Sequence, residues 1–518
     1  PLLWFGLYGA PREMSEREVD HWLATHTRSG SYQFTSVTTA WDQAAYEQRF
    51  SAVQDKIRAG DIYQLNLTFK ARFRLEGSPL TFYRDMRQRQ RVTYAGIVDT
   101  GEVTVLSASP ELFIEKHGRV VATRPMKGTA PRAGTPEADE EARRVLASDI
   151  KQRAENLMIV DLMRNDLGRI AEVGSVSVTD LFTVETFRTL HQMTSGVRAT
   201  LQDGVGLADL IRAIFPPGSV IGAPKIRAME LIRDYETEPR GVYCGAIGTI
   251  SPEGTALFNV AIRTPVIFRD GRGEMGIGSG VVYDSVGAKE YAECLLKMKF
   301  LTDPPKSFEL IETLLHEAGT GYWLLDGHLR RLAASAAYFG FAYDEGKVLA
   351  ALDAAVAGRT DERLRVRLLL AEDGGVTVTV ANQPAQVPGA VMGYVISETR
   401  LDSSNAFLFH KTTRRELYDH EWQHYADTAK ADEVLYLNER GEVAEGSRTN
   451  VFIALGGKLL TPPLSSGLLP GVLRSELLRS GEAEEAVLTL DDLARADAVY
   501  VGNSVRGLVR AEALAPSR

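Results

Sequence analysis

The sequence predicts an α+β protein of two main domains, and three observations carry that expectation. The chain has 518 residues, well beyond the usual size of about 100 to 200 residues per domain. Strand-like and helix-like segments alternate irregularly, without the steady β–α repeat of a doubly wound sheet. Asp303-Pro304-Pro305 follows a strongly helical segment, and consecutive prolines stop a helix and stiffen a connector. The expected division is therefore residues 1–303, a linker at 304–307, and residues 308–518.

In the first part, 103–108 and 112–115 read as strands, and 152–165 reads as a helix with apolar Leu157, Ile159, Val160 and Met163. A second helix carries Glu290, Glu293 and Lys297 on one face through its i, i+3 and i+7 spacing. In the second part 327–338 has helical spacing, 364–370 and 376–380 form a hairpin across Asp373-Gly374-Gly375, and 498–501 is a short buried strand. The apolar run at 2–7 reads as the middle of a strand, which predicts further residues upstream of Pro1.

Composition narrows the function classes. At 44% hydrophobic and 25% charged the chain has ordinary globular usage, which excludes global disorder. The 59 Lys+Arg against 68 Asp+Glu leave a net charge of -9, so there is no basic footprint for nucleic acid. Cys244 and Cys294 are too few for a disulfide framework or a structural zinc site, which fits a reducing, cytoplasmic setting. No apolar stretch approaches about 18 residues and no secretory signal order opens the chain. The expectation is a protein that neither spans a membrane nor is exported.

Acids at i and i+3 suit a solvated helix face as well as a metal site. Magnesium takes hard oxygen ligands, often one or two carboxylates plus oxygens of the bound substrate, and Glu155 could add a carboxylate from another helix. The wider context is a series of motifs in one order between Ala59 and Leu301: Gly60-Asp61-Ile62-Tyr63-Gln64-Leu65-Asn66-Leu67, Ser109-Pro110-Glu111, Arg124-Pro125-Met126-Lys127-Gly128-Thr129, Ala154-Glu155-Asn156, His191-Gln192-Met193-Thr194-Ser195, Gly278-Ser279-Gly280 and Glu290-Tyr291-Ala292-Glu293. Together they resemble the chorismate-utilising enzymes, most closely the aminodeoxychorismate synthase component I group. The resemblance implies a sandwich of two sheets with helices, chorismate as substrate, and Mg2+ bound by Glu155 and Glu293 with Glu290 assisting. It implies Glu111 as general acid, a role that requires a raised pKa, and His191 beside the ring. Thr129, Tyr243, Arg263, Lys297 and the backbone of Gly278, Ser279 and Gly280 match substrate contacts. Arg263 is suited to clamp a carboxylate in bidentate fashion.

Two positions refine the implied reaction. Relatives that add water carry a lysine base where this chain has Gln64, which cannot act as a base at neutral pH and points to ammonia as nucleophile. Lys127 stands where anthranilate-forming relatives usually have alanine; in the aminodeoxychorismate enzymes this lysine is proposed to attack the ring. That role needs a depressed pKa, from burial or a neighbouring cation such as Arg124. Cys244, read as strand, and Cys294, inside the acidic helix, are not placed as nucleophiles. A separate glutamine amidotransferase subunit is the expected ammonia source.

The second part offers a lysine, a carboxylate and a phosphate cradle, the groups that a pyridoxal 5'-phosphate enzyme needs. His328-Leu329-Arg330-Arg331-Leu332, Phe409-His410-Lys411-Thr412, Glu445-Gly446-Ser447-Arg448-Thr449-Asn450 and Leu469-Pro470-Gly471-Val472-Leu473 resemble the aminotransferase class IV family. The resemblance implies a fold-type IV α/β module of two subdomains, able to form a homodimer. It makes Lys411 the Schiff-base lysine and pairs Glu445 with the pyridine nitrogen. Arg331, the backbone of Val472 and Leu473, and the Ser504 hydroxyl hold the phosphate. Thr313 is the candidate for the active-site threonine of the 4-amino-4-deoxychorismate lyases. Fusion of the two halves implies synthesis of 4-aminobenzoate, a folate precursor. The rival is an anthranilate-type synthase joined to a D-amino acid or branched-chain aminotransferase, against which Lys127 speaks; a metabolite-binding protein without catalysis is opposed by the retained Lys127, Glu155, Glu293, Lys411 and Glu445.

Overall fold

Polar and apolar residues alternate along 64–68, and the strand that contains them, Gln64–Gly77, becomes the long central ladder of the first unit. Its first six residues are buried on both faces, whereas from Ala71 onward apolar residues point in and charged ones point out, the period-two pattern of a strand with one wet face. The computed structural model describes residues 3–27, 30–90, 92–187, 190–302, 307–387 and 389–514. Around Gln64–Gly77 a seven-stranded sheet runs in the order Tyr32–Thr39, Gln64–Gly77, Arg272–Val281, Val266–Phe268, Val103–Ser109, Tyr94–Asp99, with Gly222–Ala223 added to Gln64–Gly77. A second seven-stranded sheet runs Ala246–Ile250, Ala256–Val260, Leu112–His117, Val120–Arg124, Leu190–Thr200, Met126–Pro131, with Ser177–Thr186 on Leu190–Thr200. Each has its own apolar core.

Two helices bring acids to this unit. Ile150–Gly168 is capped by Asp149, whose carboxylate accepts the Gln152 N–H at 2.9 Å. It buries Ile159, Val160 and Met163 as expected, but Leu157 is 49% exposed. Gly287–Thr302 lies along the Arg272–Val281 strand and buries Cys294 and Leu301. The run expected as strand at 2–7 behaves otherwise over its described part: Leu3, Phe5 and Leu7 are exposed and have no secondary structure. No described segment supplies the ladder that would bury them.

The second unit has a four-stranded sheet, Gly321–Tyr322, Leu310–Glu317, Arg363–Leu370, Val376–Asn382, covered by helices Leu325–Phe339 and Glu345–Val356. Its other subdomain is an eight-stranded mixed sheet in the order Val443–Gly446, Glu433–Asn438, Val391–Leu401, Gly507–Ala513, Ala498–Asn503, Asn450–Leu455, Lys458–Thr461, Glu484–Glu485. The α+β class, with paired sheets first and a two-subdomain module second, is the architecture the sequence predicts.

The expected linker differs in one respect. Asp303 to Lys306 lie outside the described residues, and contacts divide the chain after Pro305 but also assign Arg132–Glu141 to the second unit. The reason is packing. The Arg132 guanidinium sits 4.3 Å from the centre of the Tyr338 ring, and Gly134 abuts the Phe409 ring with no room for a Cβ. Among the described residues no helix is long and apolar enough to cross a membrane.

Candidate active sites

Lys127 is carried by the strand Met126–Pro131. Its carbonyl accepts the Asn156 Nδ2–H at 3.2 Å, and Asn156 Oδ1 in turn accepts the Ser195 hydroxyl at 2.6 Å. The side chain ends in a polar knot: a Cβ on Gly280 would lie 2.8 Å from Lys127 Nζ, 2.8 Å from Asn66 Oδ1 and 3.1 Å from Gln64 Nε2. Glycine at 280 therefore makes the space that the amine occupies. Burial pushes the Lys127 pKa down, Lys297 adds to that effect, and Glu155 opposes it. The sequence suggested Arg124 as the helping cation. Arg124 is instead held by Asp180 and Glu185, each at 2.7 Å, and Lys297 takes that part.

Glu111 is 4% exposed, and burial pushes its carboxyl pKa up to about 7 against the opposing pull of the Ser219 hydroxyl and Lys127. A carboxyl half-protonated near neutral pH can give a proton to a leaving hydroxyl. Lys127, Glu111, Gln64, Gly280, Glu155 and Lys297 thus share one electrostatic neighbourhood.

The remaining expected contacts flank it. Gly276, Gly278 and Gly280 lie on one face of Arg272–Val281, two residues apart, and the Tyr243 ring covers Gly276 so closely that no Cβ would fit. Ser279 faces the other way and its hydroxyl pairs with Tyr46 at 2.9 Å, which leaves only its backbone for a substrate. His191 is buried, with Nδ1 3.0 Å from the Thr186 hydroxyl and Ala130 as its cross-strand partner. Thr129 donates to Gln192 Oε1 at 3.1 Å. Arg263 sits in a left-handed backbone conformation, φ 49°, and burial lowers its pKa.

The three expected magnesium ligands are not drawn into a cage. Among the described residues no three His, Cys, Asp or Glu side chains form a group that could hold a metal. Glu293 pairs with Lys297 at 2.7 Å, and Lys297 also donates to the Gly278 carbonyl at 2.8 Å. Glu155 still feels both Glu290 and Glu293: burial raises its pKa and the two acids add to that, while Lys127 opposes. These hard oxygens suit a dication that keeps most of its ligands as water and substrate oxygens. If these acids hold such a dication, Glu293→Gln is expected to raise several-fold the magnesium concentration for half-maximal activity at this site. An unchanged magnesium titration would make Glu293 merely the partner of Lys297.

In the second unit Lys411 is half-buried, and burial around its amine, aided by Arg415 and Arg331, lowers its pKa to about 7. Glu445 is 6% exposed, accepts the Tyr418 hydroxyl at 2.6 Å and the Leu469 N–H at 2.9 Å, and is pushed up to about 7 by burial. Helix Val472–Ser480 begins at Gly471 with no side-chain cap, so its first N–H groups are open to an anion. Gly471 abuts Asn450 with no space for a Cβ, and a Cβ on Gly502 would lie 3.2 Å from Leu473, which brings the strand end leading to buried Ser504 beside that helix start. Arg331 donates to the Pro470 carbonyl at 3.2 Å. A guanidinium, an uncapped helix start and a hydroxyl form a donor set that fits a phosphate, and the lysine and carboxylate fit the rest of pyridoxal phosphate.

Sequence reasoning missed Glu312. It is 2% exposed and grips Arg331 with both oxygens, at 2.9 and 2.6 Å, while the second oxygen also lies 2.6 Å from His328 Nδ1. The available signal was an acid amid Leu310, Ile311, Leu314 and Leu315 in a strand. Thr313, the neighbouring candidate, points to the opposite face of that strand. Burial alone would raise the Glu312 pKa, but Arg331 and His328 pull it down to about 2. A depressed folded pKa contributes stability above the ordinary carboxylate value of 4.5, and that stability is lost as pH falls through about 2. Glu312→Ala strands a buried guanidinium and should destabilise the second unit by about 3 kcal/mol or more, seen as an earlier denaturant midpoint. A parental midpoint would contradict this account of the pair.

Residues 11–303 match the chorismate binding enzymes, and residues 309–514 match the class IV amino-transferases. The chain belongs to the chorismate binding enzyme family. Aminodeoxychorismate synthase component 1 of Klebsiella aerogenes is 41% identical over 281 residues, which cover 54% of this chain and 62% of that protein. Anthranilate synthase component 1 of Methanothermobacter thermautotrophicus is 36% identical over 277 residues, 54% of this chain and 60% of that protein. The chain spans less than two thirds of the length of these two curated relatives. A solved Mesorhizobium loti protein, provisionally named an amino-acid aminotransferase, is 47% identical and covers 40% of this chain and 100% of its own, with a TM-score of 0.39. In this chorismate binding enzyme the Lys127 site lies inside the first match and the Lys411 site inside the second, a class IV amino-transferase domain.

Proposed function

We propose that the chain makes 4-aminobenzoate from chorismate and ammonia at two sites, the first aminating chorismate to 4-amino-4-deoxychorismate and the second releasing pyruvate from that product. The observation that carries this reading is the buried, pKa-depressed Lys127 amine beside Gln64, with protonatable Glu111 in the same neighbourhood. Lys127 Nζ forms a bond to the ring carbon ortho to the carboxylate, the ring double bonds shift, and the para C–O bond breaks. Glu111 gives the departing hydroxyl its proton, so that it leaves as water. Ammonia then bonds to the para carbon, the double bonds shift back, and the bond to Lys127 breaks to return the amine. Net, one hydroxyl is exchanged for one amino group.

Glu155 and Glu293, with Glu290, would hold Mg2+ against the chorismate carboxylate, where the ion supplies positive charge. Burial raises the thiol pKa of Cys244 to about 11 and that of Cys294 to about 12. Cys244 lies in a turn rather than the expected strand. Neither thiol is suited to glutaminase chemistry, so ammonia comes from a separate glutamine amidotransferase subunit. The two free cysteines fit the cytoplasm.

At the second site pyridoxal phosphate, when bound, supplies an electron sink for bond cleavage next to the substrate nitrogen. Lys411, with a pKa near 7, can both accept and return a proton there. Glu445, fixed by Tyr418 and Leu469, would set the proton at the pyridine nitrogen. Arg331, Val472, Leu473 and Ser504 would hold the phosphate, and Glu312 keeps Arg331 in place. In a time course with supplied aminodeoxychorismate, pyruvate and 4-aminobenzoate should appear in equal amounts and only with pyridoxal phosphate. Consumption of an added amino acid without pyruvate release from aminodeoxychorismate would favour the transaminase.

A further inference from the structure

We propose that Tyr418 is a positioning residue for the second site: its hydroxyl holds Glu445 in the ionised form, and in the orientation, that the pyridine nitrogen of the cofactor needs. The inference rests on the reading that Glu445 pairs with that nitrogen. Glu445 lies on the short strand Val443–Gly446 and has both carboxyl oxygens engaged. Oε1 accepts the Tyr418 hydroxyl at 2.6 Å, and Oε2 accepts the Leu469 N–H at 2.9 Å. One donor on each oxygen fixes the plane of the carboxyl group and still leaves lone pairs for a further donor.

Both donors are themselves held. The Leu469 carbonyl accepts the Asn450 Nδ2–H at 3.0 Å. Tyr418 sits in the first turn of helix Glu416–Ala429. Its ring packs edge-on against Tyr436, centres 5.1 Å apart, and the Arg415 guanidinium lies 5.2 Å from its centre. Arg415 is tied in turn to the Ser447 carbonyl. The direction of the Tyr418 bond is fixed as well. Burial, and after it the charge of Glu445, push the Tyr418 pKa well above its usual 10, so the phenol keeps its proton and donates.

A hydrogen bond to the charged form of an acid favours that form. Burial pushes Glu445 up to about 7, and Tyr418 leads the groups that pull it back, ahead of the Leu469 N–H, Arg415 and Lys411. Those are the groups that face Glu445 from the elements around it. Without the hydroxyl, Glu445 keeps its proton to higher pH. A neutral carboxyl offers the pyridine nitrogen no counter-charge, and the ring is then a weaker electron sink. Tyr418 therefore acts on the cofactor through Glu445, beyond any part it has in stability.

The test uses the full chain freed of cofactor, with pyridoxine 5'-phosphate as probe; it has the pyridine ring and the phosphate but no aldehyde for Lys411. Affinity is measured by equilibrium dialysis between about pH 6 and pH 9. Glu445 takes up a proton below about 7, so parental affinity should fall as pH drops through that value. Tyr418→Phe removes only the oxygen. Its fall should begin about one pH unit higher, with binding about fivefold weaker at pH 7 and within about twofold of the parent at pH 9. The phosphate and ring nitrogen of the probe titrate alike in both proteins, so the difference reports Glu445. Replacing Tyr418 by 3-fluorotyrosine, a more acidic phenol and stronger donor, should move the fall to lower pH, and it carries the test should Tyr418→Phe fail to fold by circular dichroism. With pyridoxal phosphate and aminodeoxychorismate, the acid limb of kcat for pyruvate release should move the same way. A loss of affinity equal at every pH, or an unmoved midpoint in both variants, would overturn the proposal. Parental affinity at every pH in Glu445→Gln would instead overturn the pairing of Glu445 with the ring nitrogen, a distinct result.

Discussion

Replacing Lys127 by alanine should lower formation of the para-amino product by about a hundredfold or more. Loss of the nucleophile removes a few kcal/mol of barrier lowering at about 1.4 kcal/mol per decade. The size of the effect follows from position. Addition of Lys127 to the ortho carbon as the para hydroxyl departs moves the double bonds, and only a second displacement moves them back with nitrogen at the para carbon. With that route closed, residual ammonia addition should go directly to the ortho carbon, and the trace product should be the ortho compound related to anthranilate. The second site lies in a different unit and is untouched, so supplied aminodeoxychorismate should still yield 4-aminobenzoate. Separation of the ortho and para products by retention and mass gives the answer. Parental rates of para product in the variant would show that Lys127 is not the nucleophile.

Lys411→Ala should have the opposite pattern, abolishing 4-aminobenzoate while aminodeoxychorismate accumulates from chorismate and ammonium. Loss of a positioned base alone costs about a hundred- to ten-thousandfold, and the covalent anchor for the cofactor goes with it. Lys411 has a pKa near 7 among Arg415, Arg331, Glu312 and Glu445. Ordinary 4-aminobenzoate output from this variant would sink the assignment of the second site.

Much of this chemistry was legible in the sequence because its residues occur in short motifs with fixed local geometry. Glu155 could be placed on a helix from neighbours a few positions away, and it lies on Ile150–Gly168, whereas the strand that carries Lys127 and Thr129 was not marked in the sequence. What could not be read was pairing across distance. Asn66 is tied to Ser219, 153 positions away, and Glu312 to Arg331, 19 positions away. Spacing within one element says nothing about either. The helping cation is the clearest case: Arg124 is close to Lys127 in the chain, yet its strand feeds it to Asp180 and Glu185, and Lys297 arrives from a distant helix. The charges around the second-unit lysine were likewise beyond the motif, since Arg331, Glu312 and Glu445 come from distant stretches of the chain. The apolar run at 2–7 misled because apolarity alone does not supply a neighbouring strand.

The most direct measurement supplies the full chain with chorismate, magnesium, pyridoxal phosphate and nitrogen-15 ammonium, and determines the product by mass spectrometry and nitrogen-coupled NMR. The account predicts 4-aminobenzoate carrying one labelled nitrogen para to the carboxylate, with one pyruvate per turnover. Labelled nitrogen ortho to the carboxylate, or a hydroxylated product without label, would contradict it.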